Sequence, residues 1–303
     1  MKLGCAAWVF SPMDRPSSDE DTIRVVAELG FDGIKLILRS RSELDAYWTP
    51  GQTSRIRDPC DRHSLTLSQF VLPWEAVAGF ADGDGPTRER AFEYFERGCQ
   101  LACSLGADTI CTISPWPSDL TVPTVSPPNY WIVYPPGWEK PKLGLRFPAR
   151  FDWRASWLTY VESIGRIAAL ARAYGLRFAL ENHANSMSPQ TDSLLRLFDH
   201  VYDPSLGANL DIGFSFIQRE SIPWAIHKLG DRLFHIHARD GDGLSDYLRP
   251  VGAGILDWEG IVRALKDVGY QGFVSMEWPR GPESRSQARQ ALEHLREQIA
   301  RLE

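Results

Sequence analysis

The chain repeats one alternation of polarity from end to end. Short runs of apolar residues, bounded by Gly, Pro or polar residues, recur at 2–9 (KLGCAAWV), 33–38 (GIKLIL), 65–72 (LTLSQFVL), 108–114 (DTICTIS), 177–182 (RFALEN), 206–212 (LGANLDI), 233–238 (LFHIHA) and 272–278 (GFVSMEW). Strands of a parallel sheet are covered on both faces, so they read as nearly continuous apolar runs rather than as alternating ones. Between these runs the apolar positions fall at three- and four-residue intervals, the period of a helix with one buried face. Segment 17–30 opens on serines and early acids, stops at Gly30, and lines up Val25, Val26 and Leu29 in one stripe. Segments 87–106 and 153–175 are long and amphipathic, and SLLRLFDHVY, IPWAIHKLG, WEGIVRALKDVG and SQARQALEHLREQIA complete the set. Eight strands alternating with helices over short loops predict an α/β fold, a (β/α)8 TIM barrel, as a single domain over 1–303.

An open doubly wound sheet is the rival, and it would carry GxGxxG directly after the first strand. None follows residues 2–9; Gly252-Ala253-Gly254 comes too late and opens no phosphate-type helix, so it reads as a tight loop turn. One connection breaks the rhythm. Residues 115–150, after the fourth strand, hold 9 of the 21 prolines and 3 of the 11 tryptophans. A loop of that length inside a compact domain is usually functional or disordered, and its aromatic content favours an ordered insertion that covers the active site.

Composition narrows the class. The 303 residues are 43% hydrophobic and 24% charged, which is ordinary globular material. Thirty-three Lys and Arg against 39 Asp and Glu give a net charge of −6, without the basic excess that tracks nucleic acid. No stretch approaches the ~20 apolar residues of a membrane helix, and the N-terminal apolar run is too brief for a signal sequence. The five cysteines form no CxxC pair and are odd in number. They read as reduced, buried thiols of a cytoplasmic protein, with Cys99 and Cys103 expected to pack together in the core.

In a barrel the chemistry collects at the C-terminal ends of the strands. There the sequence places Glu181 (FALENH), Asp211 (ANLDIG), His235 and His237 (FHIHAR) and Glu277 (VSMEWP), on four consecutive strands. A buried acid costs several kcal/mol unless it is paired or bound to a cation. Three carboxylates crowded together repel, so either one of them holds a proton or a divalent ion neutralises them. Oxygen-rich ligands with a single imidazole suit Mn, Mg, Co or Zn rather than copper or an iron–sulfur cluster. Period-2 alternation puts both histidines on one face, with His237 level with the acids and His235 packed one layer deeper.

The ordered set Glu, Asp, His, Glu on strands 5 to 8, spaced by 30, 26 and 40 residues, resembles the sugar phosphate isomerase/epimerase superfamily of xylose-isomerase-like TIM barrels. That superfamily includes ketose 3-epimerases, inosose isomerases and dehydratases, and hydroxypyruvate isomerases. The strings LENH, LDIG, HIHARD, VGAGILDW and MEW fall in family order along most of the chain. The resemblance implies one divalent metal, Mn before Mg, Co or Zn, held by Glu181, Asp211, His237 and Glu277, with Glu181 and Glu277 also acting as the acid/base pair. Three departures stand out: Phe214 where relatives often have a His, Lys35 where many have an acid, and Arg239 for the more usual Lys. The missing histidine and the acidic charge argue against a multi-zinc abasic-site endonuclease.

Around these four residues, His183 reads either as a substrate or proton-transfer partner or as a loop cap. Arg239 and Asp240 read as a grip on a polar substrate or as a structural pair, and Lys35 as a carboxylate or carbonyl binder or as a salt bridge at the barrel mouth. Trp8, Trp74 and Trp278 either stack on a sugar or cyclitol ring or cap the core. The activity implied is a metal-dependent isomerase or epimerase of a keto-sugar, keto-cyclitol or related polyhydroxy carbonyl compound, working through an enediolate. A lyase of the same fold, either an inosose-type dehydratase or an enzyme that β-eliminates an oxidised glycoside, is the alternative, and a non-catalytic sugar-binding barrel is a third. The expected partner is a small sugar or cyclitol, without nucleic acid or membrane; barrels of this type commonly associate, so a homo-oligomer is compatible with the reading.

Overall fold

The eight apolar runs become eight parallel strands closed into one barrel in sequence order: β1 (Lys2–Ala6), β2 (Gly33–Ile37), β3 (Thr66–Val71), β4 (Thr109–Ile113), β5 (Arg177–Glu181), β6 (Leu206–Asp211), β7 (Leu233–Ala238) and β8 (Phe273–Met276). The computed structural model describes residues 1–12, 20–73, 79–81, 85–115, 149–184, 186–243 and 248–302. Residues 116–148 of the expected insertion, and Trp74, lie outside them. Closure pairs β1 with both β2 and β8, so no strand edge is left open. Every residue of β2, β4 and β6 is buried, as the continuous apolar runs require.

Helices wrap the barrel: α1 (Glu20–Leu29), α2 (Arg41–Ala46), α3 (Pro50–Arg62), α4 (Gly85–Leu105), α5 (Trp153–Ala173), α6 (Thr191–Val201), α7 (Ile212–Ile217), α8 (Ile222–Leu229), α9 (Trp258–Asp267) and α10 (Ser284–Ala300). Three of these are absent from the hydrophobic pattern, for physical reasons. Along the 13 residues of α3 only Ile56, Pro59 and Cys60 are buried, and Pro59 sits inside the helix, so its apolar stripe is thin and interrupted. Helices α2 and α7 have six residues each, too short to display a period. Thr49 and Ser40 cap α3 and α2 by accepting from Gln52 N and Glu43 N.

Two other details differ from the sequence reading. The first strand stops at Ala6, and Trp8 lies in a 3-10 turn, Ala7–Val9. Cys99 is buried but Cys103 is exposed: four residues advance a helix by ~400°, and the extra ~40° carries the second sulfur to the helix edge, where it meets the Tyr174 carbonyl at 3.4 Å. No helix among the described residues is long and apolar enough to cross a membrane.

Register irregularities aim the site. The pairing of β2 with β3 shifts between Ile34 and Lys35, and that of β6 with β7 between Ala208 and Asn209. Such bulges re-aim side chains, and here they immediately precede Lys35 and Asn209, both of which enter the cluster described below. Close strand packing depends on Gly207, where a Cβ would stand 2.6 Å from the Arg232 carbonyl oxygen and 2.7 Å from the Phe234 ring.

Candidate active site

Glu181 and Asp211 are the last residues of β5 and β6, His237 is the penultimate residue of β7, and Glu277 follows β8 directly. All four are buried. They meet around one atom: His237 Nδ1 lies 3.4 Å from Glu181 Oε2, 3.7 Å from Asp211 Oδ2 and 3.4 Å from Glu277 Oε2. Ligands ~2.1 Å from one divalent ion stand about 3.0–3.4 Å apart in octahedral or tetrahedral arrays, so each carboxylate lies near ligand spacing from His237. The mutually close sets among the described residues are two, however, with Glu181 in a different one from Asp211 and Glu277. Asp211, His237 and Glu277 offer ligand atoms all within 4.8 Å of one another, and so do Cys111, Glu181 and His237. Cys111, on β4, was read in the sequence only as a buried thiol.

The imidazole is held in the tautomer a metal ligand needs. His237 Nε2 lies 2.8 Å from Gln69 Oε1, and the Gln69 amide nitrogen donates to Asn209 Oδ1 at 3.1 Å. An amide oxygen only accepts, so Nε2 carries the hydrogen and the Nδ1 lone pair faces the three carboxylates. Nδ1 has no hydrogen-bond partner among the described residues. Gln69 and Asn209 are both fully buried, and sequence reasoning passed over them. Their signal was a long polar side chain in the middle of the apolar runs LTLSQFVL and LGANLDI.

The backbone of Asp211 is clamped as well. Asn182 accepts from Asp211 N at 2.7 Å and donates to Ser215 Oγ at 3.1 Å. Asp211 Oδ1 accepts from Phe214 N at 2.9 Å and so caps α7, which leaves Oδ2 turned toward His237.

Two cations share this carboxylate cluster. Lys35 Nζ donates to Glu277 Oε2 and Arg239 Nη2 to Glu277 Oε1, and Arg239 Nη2 stands 2.6 Å from Asp211 Oδ2. Glu181 has no cationic partner among the described residues except the His237 ring. The carboxylates diverge accordingly. Burial pushes Glu181 above the usual range and outweighs the pull of His237. Burial acts the same way on Glu277, but Arg239 and Lys35 overcome it and hold that carboxyl far below; Asp211 is likewise lowered, by Arg239 and His237. For His237, burial and Lys35 oppose protonation, yet Glu181 and Glu277 prevail and raise it. A negative potential that favours a proton at Nδ1 favours a divalent cation there too.

The surrounding candidates separate into roles. His183 is fully buried, its ring centroid 4.1 Å from that of Phe214 and its Nδ1 3.3 Å from the Ala184 carbonyl oxygen. Burial pushes it down to about 3, so it is a neutral imidazole at the end of β5. Phe214 also meets the Arg239 guanidinium at 4.8 Å. The Lys35 ammonium lies 4.7 Å from the centre of the buried Trp8 ring. Trp278 is buried beside Glu277, and its indole N–H has no hydrogen-bond partner among the described residues.

Asp240 is fully buried and spends its carboxylate on neighbouring donors. Its carboxylate accepts from Gly241 N (2.8 Å), Gly252 N (3.0 Å), Leu256 N (3.2 Å) and Trp258 Nε1 (2.8 Å), which ties down the loop between β7 and α9. A Cβ at Gly254 would overlap Asp240 Oδ1 and the Gly241 carbonyl, so the glycine pair serves this knot. Asp240→Ala strands four donors and is expected to cost about 3 kcal/mol or more, read as a lower urea midpoint at unchanged slope; a loss under ~1 kcal/mol would remove Asp240 from that role.

The family model for the xylose isomerase-like TIM barrel matches residues 23–298. The chain belongs to this family. Within it, the chain is 30% identical over 145 residues to fructoselysine 3-epimerase of Escherichia coli O157:H7, an overlap of 46% of this chain and 53% of that protein. It is 24% identical over 144 residues to inosose dehydratase of Clostridium perfringens, covering 42% and 48% respectively. The chain spans about half the length of these curated relatives. In three dimensions it superposes on a D-psicose 3-epimerase from Clostridium cellulolyticum H10, solved with D-tagatose, with a TM-score of 0.76 and 21% identity over 99% of both chains. That likeness is one of fold.

Proposed function

We propose that the protein, as a single barrel domain, is a divalent-metal-dependent isomerase or epimerase of a keto-sugar, keto-cyclitol or related polyhydroxy carbonyl compound. The observation that carries this reading is the convergence of Glu181, Asp211 and Glu277 on the unpartnered Nδ1 of His237 at 3.4–3.7 Å. The names of the relatives, two 3-epimerases and a dehydratase acting on sugars or a cyclitol, support the same substrate class.

Glu181, Asp211, His237 and Glu277 would hold the ion; the three-oxygen, one-nitrogen donor set suits Mn, Mg, Co or Zn, and the family resemblance puts Mn first. When bound, the ion supplies Lewis-acid stabilisation of the charge that develops on the substrate oxygens as an α-proton leaves. Glu181 and Glu277 approach from β5 and β8, three strands apart, and form the acid/base pair. One carboxylate oxygen takes the proton from the α-carbon, and the other glutamate returns a proton to the opposite face. Arg239, packed on Phe214, holds Asp211 and Glu277 in register, and His183 offers a neutral hydrogen-bonding ring to a substrate hydroxyl. Trp8, Trp278 and Lys35 complete the polar and aromatic surroundings of the substrate.

The match to an inosose dehydratase favours a second reading, in which the same enediolate expels a β-substituent instead of being reprotonated. One experiment decides between them: a panel of ketoses, inososes and 3-keto-glycosides incubated in deuterium oxide with metal-loaded and chelator-stripped protein. Epimerisation puts deuterium on the α-carbon without loss of mass, elimination loses water or aglycone, and stripping abolishes either. Full turnover by metal-free protein would sink the metal mechanism.

A further inference from the structure

Lys35 has no exposed surface. It enters the barrel from β2 just after the register shift and is paired across the ladder with Gln69. Its ammonium donates to Oε2 of Glu277, and Oε2 is the oxygen that faces His237 Nδ1 at 3.4 Å. Arg239 holds the other oxygen, Oε1, and reaches Asp211 Oδ2. The two cations therefore occupy different ligand atoms: Arg239 sits between Asp211 Oδ2 and Glu277 Oε1, whereas Lys35 holds the Glu277 oxygen that faces His237.

We propose that Lys35 is a built-in competitor for the divalent ion at Glu277 and sets the metal affinity of this site. The inference rests on the metal reading given above. Three carboxylates (Glu181, Asp211, Glu277) and two cations (Lys35, Arg239) leave a formal balance of −1 with His237 neutral. A divalent ion turns that into +1 inside a buried site, whereas without Lys35 the balance is −2 and the ion matches it. Uncompensated charge in a dry site is costly, so Lys35 stabilises the metal-free protein at the expense of affinity. Trp8 gives the displaced ammonium a second place to rest, because its ring already lies 4.7 Å from Lys35 Nζ. Lys35 is thus a positioning residue that acts through Glu277.

The test is a calorimetric titration of Mn(II) into metal-stripped wild-type protein, Lys35→Met, Lys35→Gln and Lys35→Arg, with thermal melts of each form. Lys35→Met and Lys35→Gln are expected to bind Mn(II) about tenfold tighter or more, and Lys35→Arg to stay within about threefold of wild type. The stripped Lys35→Met protein is expected to melt below the stripped wild type and to gain more from Mn(II). Equal or weaker binding by folded Lys35→Met overturns the inference, because Lys35 would then be holding Glu277 in place for the ion. Wild type that binds no Mn(II) fails the metal reading instead; the inference then survives only if Lys35→Met acquires a site, and falls with that reading if it does not. Should the uncharged variants not fold, lysine-ammonium NMR of the wild type decides. A Lys35 resonance that shifts as Mg(II) binds supports displacement, and one that stays unchanged at saturation overturns it.

Discussion

Glu181→Gln is expected to lower turnover about a thousandfold while leaving the barrel folded and able to bind metal. The variant keeps the size of the side chain and one oxygen that can act as a ligand, but removes the carboxylate proposed above as one half of the acid/base pair. Glu181 is also the acid whose loss disturbs the protein least. No cation among the described residues depends on it except the His237 ring, and burial already pushes its pKa upward, against the charged form. Stability should stay within about 1 kcal/mol of wild type, as for substitutions that strand no partner. The measurements are kcat and solvent-deuterium exchange on a turned-over member of the substrate panel, with a urea melt as control. Turnover within tenfold of wild type would exclude Glu181 as the base.

Glu277→Met should have its main effect on stability instead. Glu277 anchors both Lys35 and Arg239, each almost wholly buried, and removing one partner of a buried ion pair typically costs about 3–5 kcal/mol because the remaining charge is stranded. A loss of that size is expected in the urea midpoint of the metal-free protein. The double variant Lys35→Met/Glu277→Met should recover a large part of it, since one stranded cation is gone and the two side chains can pack as apolar neighbours. If the two single losses simply add, the pair is not coupled and the ion-pair account of the site is wrong. This result also bears on how a Glu277 variant is read: its loss of activity would mix chemistry with unfolding, whereas that of Glu181→Gln would not.

Much of the fold is visible in the chain. The eight apolar runs coincide with the eight strands to within one to three residues at each end, because a strand covered on both faces must be apolar along its whole length. Elements with little apolar surface to bury were invisible: α3, with its interior Pro59, and the six-residue α2 and α7. Ionisable residue types at the ends of β5 to β8 were equally plain, since an acid or imidazole inside apolar text has few reasons to be there. Asp240 shows the limit of that logic. It follows His237 closely and looks like part of the site, yet its carboxylate is consumed by four donors from residues 241–258.

What the sequence determined by itself is the period of the barrel and the set of groups brought to its mouth, because periodicity and strand order are local properties of the chain. What only the tertiary structure decided is which atoms face which. Lys35 is 242 residues from Glu277 and Gln69 is 168 from His237, and nothing local couples them. Closure of the barrel sets β1 beside both β2 and β8, which brings Lys35 within reach of Glu277, and the register shifts on β2 and β6 help to aim Lys35 and Asn209 inward. The pairing of Lys35 and Arg239 with Glu277, while Glu181 is left without such a partner, follows from that closure. It makes two glutamates of the same residue type electrostatically unlike.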